Sequence, residues 1–350
     1  MATLKDIARR AKVSVSTASR ILSGSERANE LLPSTRQRVL QVAEEFDYQP
    51  NTSARFLRTG QTITQIAYAF YAPREIISTE PFFIKVLEGI ERATLEHKWV
   101  LQYISLNDTR ALGILSERIN NGTIKGLILA GYFSPELIKQ VLDTRVPAVA
   151  VAPFYPVPDL IKIEVDNQQG IKLLFDYLYS LGHKNIGFIS GGDNSENELP
   201  PFALRRIAFL EILREYGLDT NQTFIIPNWT SYVKYRETVL ESITKRLLAL
   251  SRSCTALVCA NDLIARWVLS ILQTNNIKIP QDCSITGFDN IEWSSYLIPP
   301  LTTASVPIAA MGEKAVDILD RLINKRPASE AIYVMKPKII IRKSTGPPPK

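Results

Sequence analysis

The chain has 350 residues, 45% of them hydrophobic and 22% charged, a globular composition with length enough for two or three domains. Its longest apolar runs, such as 146–158, are interrupted by proline and fall short of the roughly 18 residues a membrane span needs, while the polar start MATLKD is unlike a signal peptide. Cys254, Cys259 and Cys283 make no Cys-x-x-Cys pair, and His97 and His183 are the only histidines, so neither a disulfide framework nor a Cys/His metal site fits, and a reducing cytoplasm is expected. Residues 1–60 carry ten Lys/Arg against six Asp/Glu, a net +4 of the chain's total +6. A basic module on a near-neutral body predicts an anionic partner, nucleic acid above all, although a solvated face is the plainer alternative.

The module reads as short helices. Thr3 with Asp6 gives an N-cap signal, and Leu4, Ile7, Ala8 and Ala11 share a face. Lys12-Val13-Ser14 breaks this helix, and Ser14 caps a second one over 15–22. Its spacing buries Val15, Ala18, Ile21 and Leu22 and leaves Ser16, Thr17, Ser19 and Arg20 outside. A third helix starts near 33–35, either with Pro33 at its first position or with Ser34 and Gln37 as a capping box, and buries Val39, Leu40, Ala43 and Phe46. Two helices across a tight turn, closed by a third, make a helix-turn-helix. Pro50 stops the third helix, and 51–57 (NTSARFL) holds two more helical turns, too few to stand alone in water.

From 63 onward, short β-rich runs alternate with helical ones. Strands are expected at 63–71, 100–105, 126–130 and 148–152, with helices at 82–97, 111–121 and 135–142 between them. A second series places strands at 161–165, 185–190, 224–226, 256–260 and 284–288, with helices at 168–181, 202–216, 232–250 and 263–274. The alternation predicts an α/β core of two lobes, each a parallel sheet with helices on both faces. A helix at 308–323 and a last strand at 332–341 follow.

Signatures of catalysis are missing: there is no G-x-G-x-x-G, no G-x-x-x-x-G-K-[ST] and no G-x-S-x-G, and Gly191-Gly192-Asp193-Asn194 lacks a third glycine. His183 follows Gly182 at a helix end, where capping is the expected role. With no nucleophile–base pair and no metal cluster, the chain is expected to be no enzyme and to need no cofactor. Asn261 and Asp262, Asp289 and Asn290, and Trp229 follow strands of the second lobe. Open α/β sheets bind ligands at those ends, and Trp, Asn and Asp suit a polyhydroxylated ligand. Helix N-caps are the alternative reading.

Several segments together resemble the lactose/galactose repressor family of bacterial transcriptional regulators. They are Thr3-Leu-Lys-Asp-Ile-Ala8, Val13-Ser14-x-x-Thr17-Ala18-Ser19-Arg20, Tyr48-x-Pro50-Asn51-x-x-Ala54-Arg55-x-Leu57, Asp166-Asn-x-x-Gly170, Leu181-Gly182-His183, Ala260-Asn261-Asp262, Gly287-Phe288-Asp289 and Pro299-Pro300-Leu301-Thr302-Thr303. The resemblance implies a headpiece over 1–60 with a hinge helix at about 50–58, and a core over 61–345 like periplasmic sugar-binding proteins. It places an N-terminal lobe at about 61–163 and 295–322, a C-terminal lobe at about 164–292 and 325–343, crossovers near 163–166, 289–294 and 322–326, and a disordered tail at 346–350. It also implies a homodimer on palindromic operator DNA, released by a saccharide bound between the lobes.

Carried over by position, Val15, Ser16 and Arg20 would face bases, Thr3, Ser14, Thr17 and Asn51 phosphates, with Arg55 beside them and Leu57 as a minor-groove wedge. Arg205, Trp229, Asn261 and Asp289 would hold the effector, a galactoside or related saccharide. The sequence departs from the family at Ala208, where glycine is usual, and at Ala152, where the N-terminal lobe contributes an aspartate. The loop 24–32 is longer, and no leucine heptad follows the last strand, so a dimer rather than a tetramer is implied. A purine or phosphosugar corepressor, or a cytoplasmic sugar-binding protein or enzyme, are the competing readings.

Overall fold

A computed structural model describes residues 4–22, 31–46, 64–71, 81–106, 109–131, 133, 135–153, 157, 159–192, 200–226 and 237–350. The chain divides into two compact units, 1–63 and 64–350.

The first unit holds α1 (Leu4–Arg10), α2 (Val15–Leu22) and α3 (Pro33–Glu45) around Ile7, Ala8, Ala11, Ala18, Ile21, Val39, Val42 and Ala43. The α1–α2 turn is made by Lys12 at φ 53° and by Ser14, whose Oγ accepts the Thr17 amide at 3.0 Å, an N-cap in the expected place. Arg38 Nε donates to the Ala11 carbonyl at 2.9 Å, tying α3 to the end of α1. Pro33 stands at the start of α3 and no side chain caps that helix, which decides between the two starts the sequence allowed. Three expected core residues are not there: Val15, Leu40 and Phe46 are exposed. Val39, Val42 and Ala43 already fill the i, i+3, i+4 stripe of α3, so Leu40, one residue and about 100° further round, turns outward.

The second unit contains two six-stranded sheets. The first has the order β2 (Val100–Ser105), β1 (Gln65–Tyr71), β3 (Ile124–Gly131), β4 (Ala148–Val151), β5 (Ile161–Val165), β11 (Ile332–Met335), all parallel. The second has the order β7 (Thr223–Ile226), β6 (Ile186–Gly191), β8 (Ala256–Cys259), β9 (Ser284–Asp289), β10 (Thr302–Ser305), β12 (Lys338–Ile340), parallel except for the antiparallel β10–β12 pair. Central strands such as AVAV and ALVC are buried along their whole length, as strands covered by helices on both faces must be. Strand order reverses between β1 and β3 and between β6 and β8, so each sheet is doubly wound. Among the described residues no helix is long and apolar enough to cross a membrane.

The chain passes between the lobes at 165–167, 305–308 and 335–338. The crossovers expected at 289–294 and 322–326 are therefore corrected, and with them the lobe boundaries. Segment 302–305, expected in the N-terminal lobe, is β10 of the second sheet, paired to β9. Segment 332–335, expected in the C-terminal lobe, is β11 of the first, paired to β5. The expected single strand 332–341 splits because Lys336-Pro337 interrupts it, and Pro337 has no amide to give a ladder. The helix 308–323 packs on β3, β4 and β5 and against the helix 81–96. There a Cβ on Gly312 would stand 2.1 Å from the Val86 carbonyl oxygen and one on Gly89 1.8 Å from that of Ala309, so this contact is backbone on backbone and glycine is needed on both sides.

The tail is also corrected. Ser344 is buried, its hydroxyl donating to the Ile285 carbonyl and accepting the Thr302 amide. Gly346 donates to Ser284 Oγ, and its carbonyl lies 2.8 Å from His183 Nε2. The His183 ring thus holds the tail, with Thr255 Oγ1 2.8 Å from its Nδ1. The C-terminus of the helix 167–180 is closed by backbone amides and not by the His183 ring: Gly182 at φ 103° gives its amide to Tyr179, and the His183 amide goes to Leu178.

Candidate functional site

The carboxyl ends of both sheets of the second unit face a cavity of about 490 Å3. Ala152 follows β4, Asp166 and Asn167 follow β5, Asn261 follows β8 and Asp289 ends β9. Two of them, Asp166 and Asn261, also cap the helices that begin at those strand ends. The Asp166 carboxylate accepts the Gln169 amide at 2.9 Å, and Asn261 Oδ1 accepts the Ile264 amide at 2.9 Å. For Asn261 the capping and ligand readings thus coexist, since the same residue lines the cavity.

Arg205 enters from the helix 200–215 and organises the cavity floor. Its Nε donates to Asn167 Oδ1 at 2.8 Å, Nη1 to the Ala260 carbonyl at 2.5 Å and Nη2 to Asp289 Oδ1 at 3.3 Å. Its guanidinium lies 3.7 Å over the Phe288 ring, a cation–π contact away from water. Burial pushes the Asp289 carboxyl up to about 6, a rise the Arg205 charge and hydrogen bond restrain. Behind it, Asp262 is fully buried and accepts the Thr303 hydroxyl at 2.6 Å and the Ile291 amide at 2.8 Å. Burial, and then the neighbouring Asp289 charge, push its carboxyl up to about 8, with Thr303, Ile291 and Arg342 acting the other way.

Of the four expected effector residues, Arg205, Asn261 and Asp289 come together here, while Trp229 lies outside the described residues. Ala152 and Ala208, the two departures from the family pattern, both line the cavity. Sequence reasoning missed Asn167, although it follows a strand end in the same way as Asn261. It also missed Phe82 and Phe83, whose approach to the cavity only the fold reveals.

In the first unit, Ser14, Val15, Ser16 and Arg20 are exposed and Thr17 is half-buried. Ser16 and Arg20, one turn apart, share a side of α2. Ser14 Oγ lies 2.8 Å from both Ser16 Oγ and Thr17 Oγ1, a hydroxyl cluster at the start of the helix. Such a terminus presents amides and hydroxyls to an anion. Thr3, Asn51, Arg55, Leu57 and the expected hinge helix at about 50–58 lie outside the described residues.

Residues 3–51 match the family described as bacterial regulatory proteins, lacI family, and residues 175–345 match the periplasmic binding protein-like domain. The chain is similar to the HTH-type transcriptional repressor PurR of Aliivibrio salmonicida (strain LFI1238), 28% identical over 352 residues covering 98% of this chain and 99% of the relative. In fold it is similar to a lac repressor dimer bound to operator and the anti-inducer ONPF, with TM-score 0.76, 21% identity and 99% of each chain covered. It is likewise similar to the transcriptional regulator CelR in its cellobiose complex, with TM-score 0.67, 21% identity, and 98% of this chain and 100% of that one covered. The chain thus carries, in that order, a segment that matches the lacI family of bacterial regulatory proteins and a segment that matches the periplasmic binding protein-like domain.

Proposed function

We propose that the protein is a cytoplasmic repressor that binds operator DNA as a homodimer through its N-terminal helices and leaves it when a saccharide, galactoside-like, occupies the cavity between the core lobes. The observation that carries this reading is the constellation of buried Arg205, Asn261 and Asp289 with half-buried Asn167, converging from four chain segments on one cavity. A carboxylate, two amides and a guanidinium match a ligand that offers hydroxyls as both donors and acceptors. The cellobiose held by the CelR structure favours the same ligand class.

The cavity's charge argues against a phosphosugar. Among its described lining residues Arg205 is the only cation, against Glu164, Asp166, Glu211 and Asp289. For the dimer, Tyr296 and Ile298 stand exposed in one loop of the core, an apolar feature that a second copy would cover.

On DNA, Arg20 would donate to a guanine edge, and Arg20→Ala would cost roughly 1–3 kcal/mol of discrimination at one base position. Leu57 would wedge into the minor groove, so Leu57→Ala would reduce the bend measured by circular permutation. The test of the whole reading is binding of the full chain to duplexes selected from a random pool, at several salt concentrations. The expected log–log slope is on the order of −5 to −10, and a flat response would count against DNA as the partner. Thermal-shift screening against saccharides, purines and phosphosugars decides the ligand class, with stabilisation expected from saccharides alone.

A further inference from the structure

We propose that the amino edge of the first sheet is a second contact for the DNA backbone, made by one cation at each of its four helix-to-strand loops. This rests on the DNA-binding reading above and extends it to the core.

All strands of the first sheet are parallel, so they begin at one edge, and the helices that precede β2, β3, β4 and β11 end there. It is the edge away from the cavity. The chain enters the core at it, since β1 starts at Gln65 directly after the basic first unit. Three of the four loops hold a cation in the left-handed region: Lys98 at φ 56°, Arg145 at φ 56° and Lys325 at φ 57°. Each closes its helix in the way glycine usually does, with the Lys98 amide going to the Leu95 carbonyl, that of Arg145 to Leu142 and that of Lys325 to Leu322, all at 3.0 Å. The fourth loop turns at Gly122, and a Cβ there would stand 3.3 Å from Lys125 Nζ. All four cations are exposed.

A cation past a helix end gains from the carbonyls there. That gain does not explain the difference between the lobes. The helices 167–180, 200–215 and 262–274 of the C-terminal lobe end in the same geometry, with Gly182, Gly217 and Asn276 at positive φ, residues that adopt it readily. The lobe that takes up the chain from the basic unit thus carries lysine and arginine where the other carries glycine and asparagine. Acids do not cancel the row. Glu96, Glu117, Asp143 and Asp320 belong to the last turns of their helices, where side chains lean back toward the helix N-terminus, and Asp320 is taken by Arg326 at 2.7 Å. Asp159 and Glu330 are the acids left at the edge among the described residues, against Lys98, Lys125, Arg145 and Lys325. Separate exposed cations, each on its own loop, suit a partner with regularly repeated negative charge, which a phosphate backbone is.

The experiment is fluorescence anisotropy of a duplex selected from a random pool, titrated with the full chain at several salt concentrations. Lys98→Gly with Arg145→Gly and Lys325→Gly removes three charges per copy at positions where glycine fits the backbone, so its melting temperature should equal or exceed that of the wild type. Its log–log slope should be shallower by about 2–5, and its affinity at about 0.1 M salt should be lower by about tenfold or more. Asparagine at the same three positions, which also accepts this φ, should give the same loss. Arg214→Gln with Arg252→Gln and Lys278→Gln takes equal charge from exposed sites at the matching edge of the second sheet and should leave the slope unchanged. A slope retained in both the glycine and the asparagine variants, or an equal loss in the C-terminal-lobe variant, overturns the edge contact and leaves the DNA reading standing. A wild type without salt-dependent DNA binding removes the DNA reading and this proposal with it.

Discussion

Arg205 and Asp289 meet at 3.3 Å with both side chains buried, one from a helix of the C-terminal lobe and the other from the last residue of β9. Neither charge has bulk water to turn to, so each depends on the other, and the pair carries stability as well as a site. Removing one partner of a buried pair costs about 3–5 kcal/mol, whereas replacing both by apolar residues is far milder. Arg205→Met should thus destabilise the protein by about that amount in urea unfolding, and Arg205→Met with Asp289→Leu should regain part of it. Both variants should fail to bind the saccharide by calorimetry. A single Arg205→Met within about 1 kcal/mol of wild type would show that the pair is not held in a dry site.

The two raised carboxyls set a pH dependence. A carboxyl whose pKa is raised by folding binds its proton more tightly in the folded state. Its stabilisation is complete below the unfolded value near ~4 and is lost as pH rises through the folded value. For Asp289 that loss runs from about 4 up to about 6, and for Asp262 from about 4 up to about 8, above which it levels off. His183 works in the other direction, since burial lowers its pKa and its contribution is lost as pH falls below about 6.5. The melting temperature should therefore decline from pH ~6.5 to ~8. Asp262→Asn, which can still accept the Ile291 amide and donate to Thr303, should flatten that decline. An unchanged alkaline slope in Asp262→Asn would assign it to other groups.

The contact between the helices 81–96 and 308–323 offers a test of packing with an internal control. Gly312→Ala puts a methyl 2.1 Å from a backbone oxygen that cannot swing aside, and overpacking of this kind costs about 1–3 kcal/mol or more. Gly113, exposed in the helix 109–120, has nothing within 4 Å of its Cβ position, so Gly113→Ala should stabilise by roughly 0.5–1 kcal/mol through helix propensity. Opposite shifts in melting temperature are expected from these two alanines.

The lobes were legible in the sequence because buried parallel strands are continuous apolar runs, and AVAV or ALVC has few other ways to be satisfied. Thr302–Ser305 escaped because TTAS carries no such signal. It is a strand because β9 offers an edge and because Thr303 finds Asp262, a partner 41 residues away that no local pattern reveals. The same holds for the tail: STG looks like a loose end until His183 and Ser284 are seen beside Gly346. In the site, Asn261 and Asp289 were legible from their place after strands. Asn167 has the same position, but only the Arg205 hydrogen bond marks it out. Phe82 and Phe83 were legible as helix core and not as cavity wall, since their face depends on how the two lobes close.

The central claim is that occupation of the core cavity weakens DNA binding by the N-terminal helices of the same chain. It is tested most directly by fluorescence anisotropy of a selected palindromic duplex, titrated with the full chain at fixed salt, with and without the saccharide that binds the core tightest. The saccharide should lower DNA affinity about tenfold or more, within the range of ordinary coupling energies. It should leave unchanged the DNA affinity of the Arg205→Met, Asp289→Leu variant. Saccharide binding that leaves wild-type DNA affinity unaltered, or an equal loss of affinity in the variant, would contradict the account.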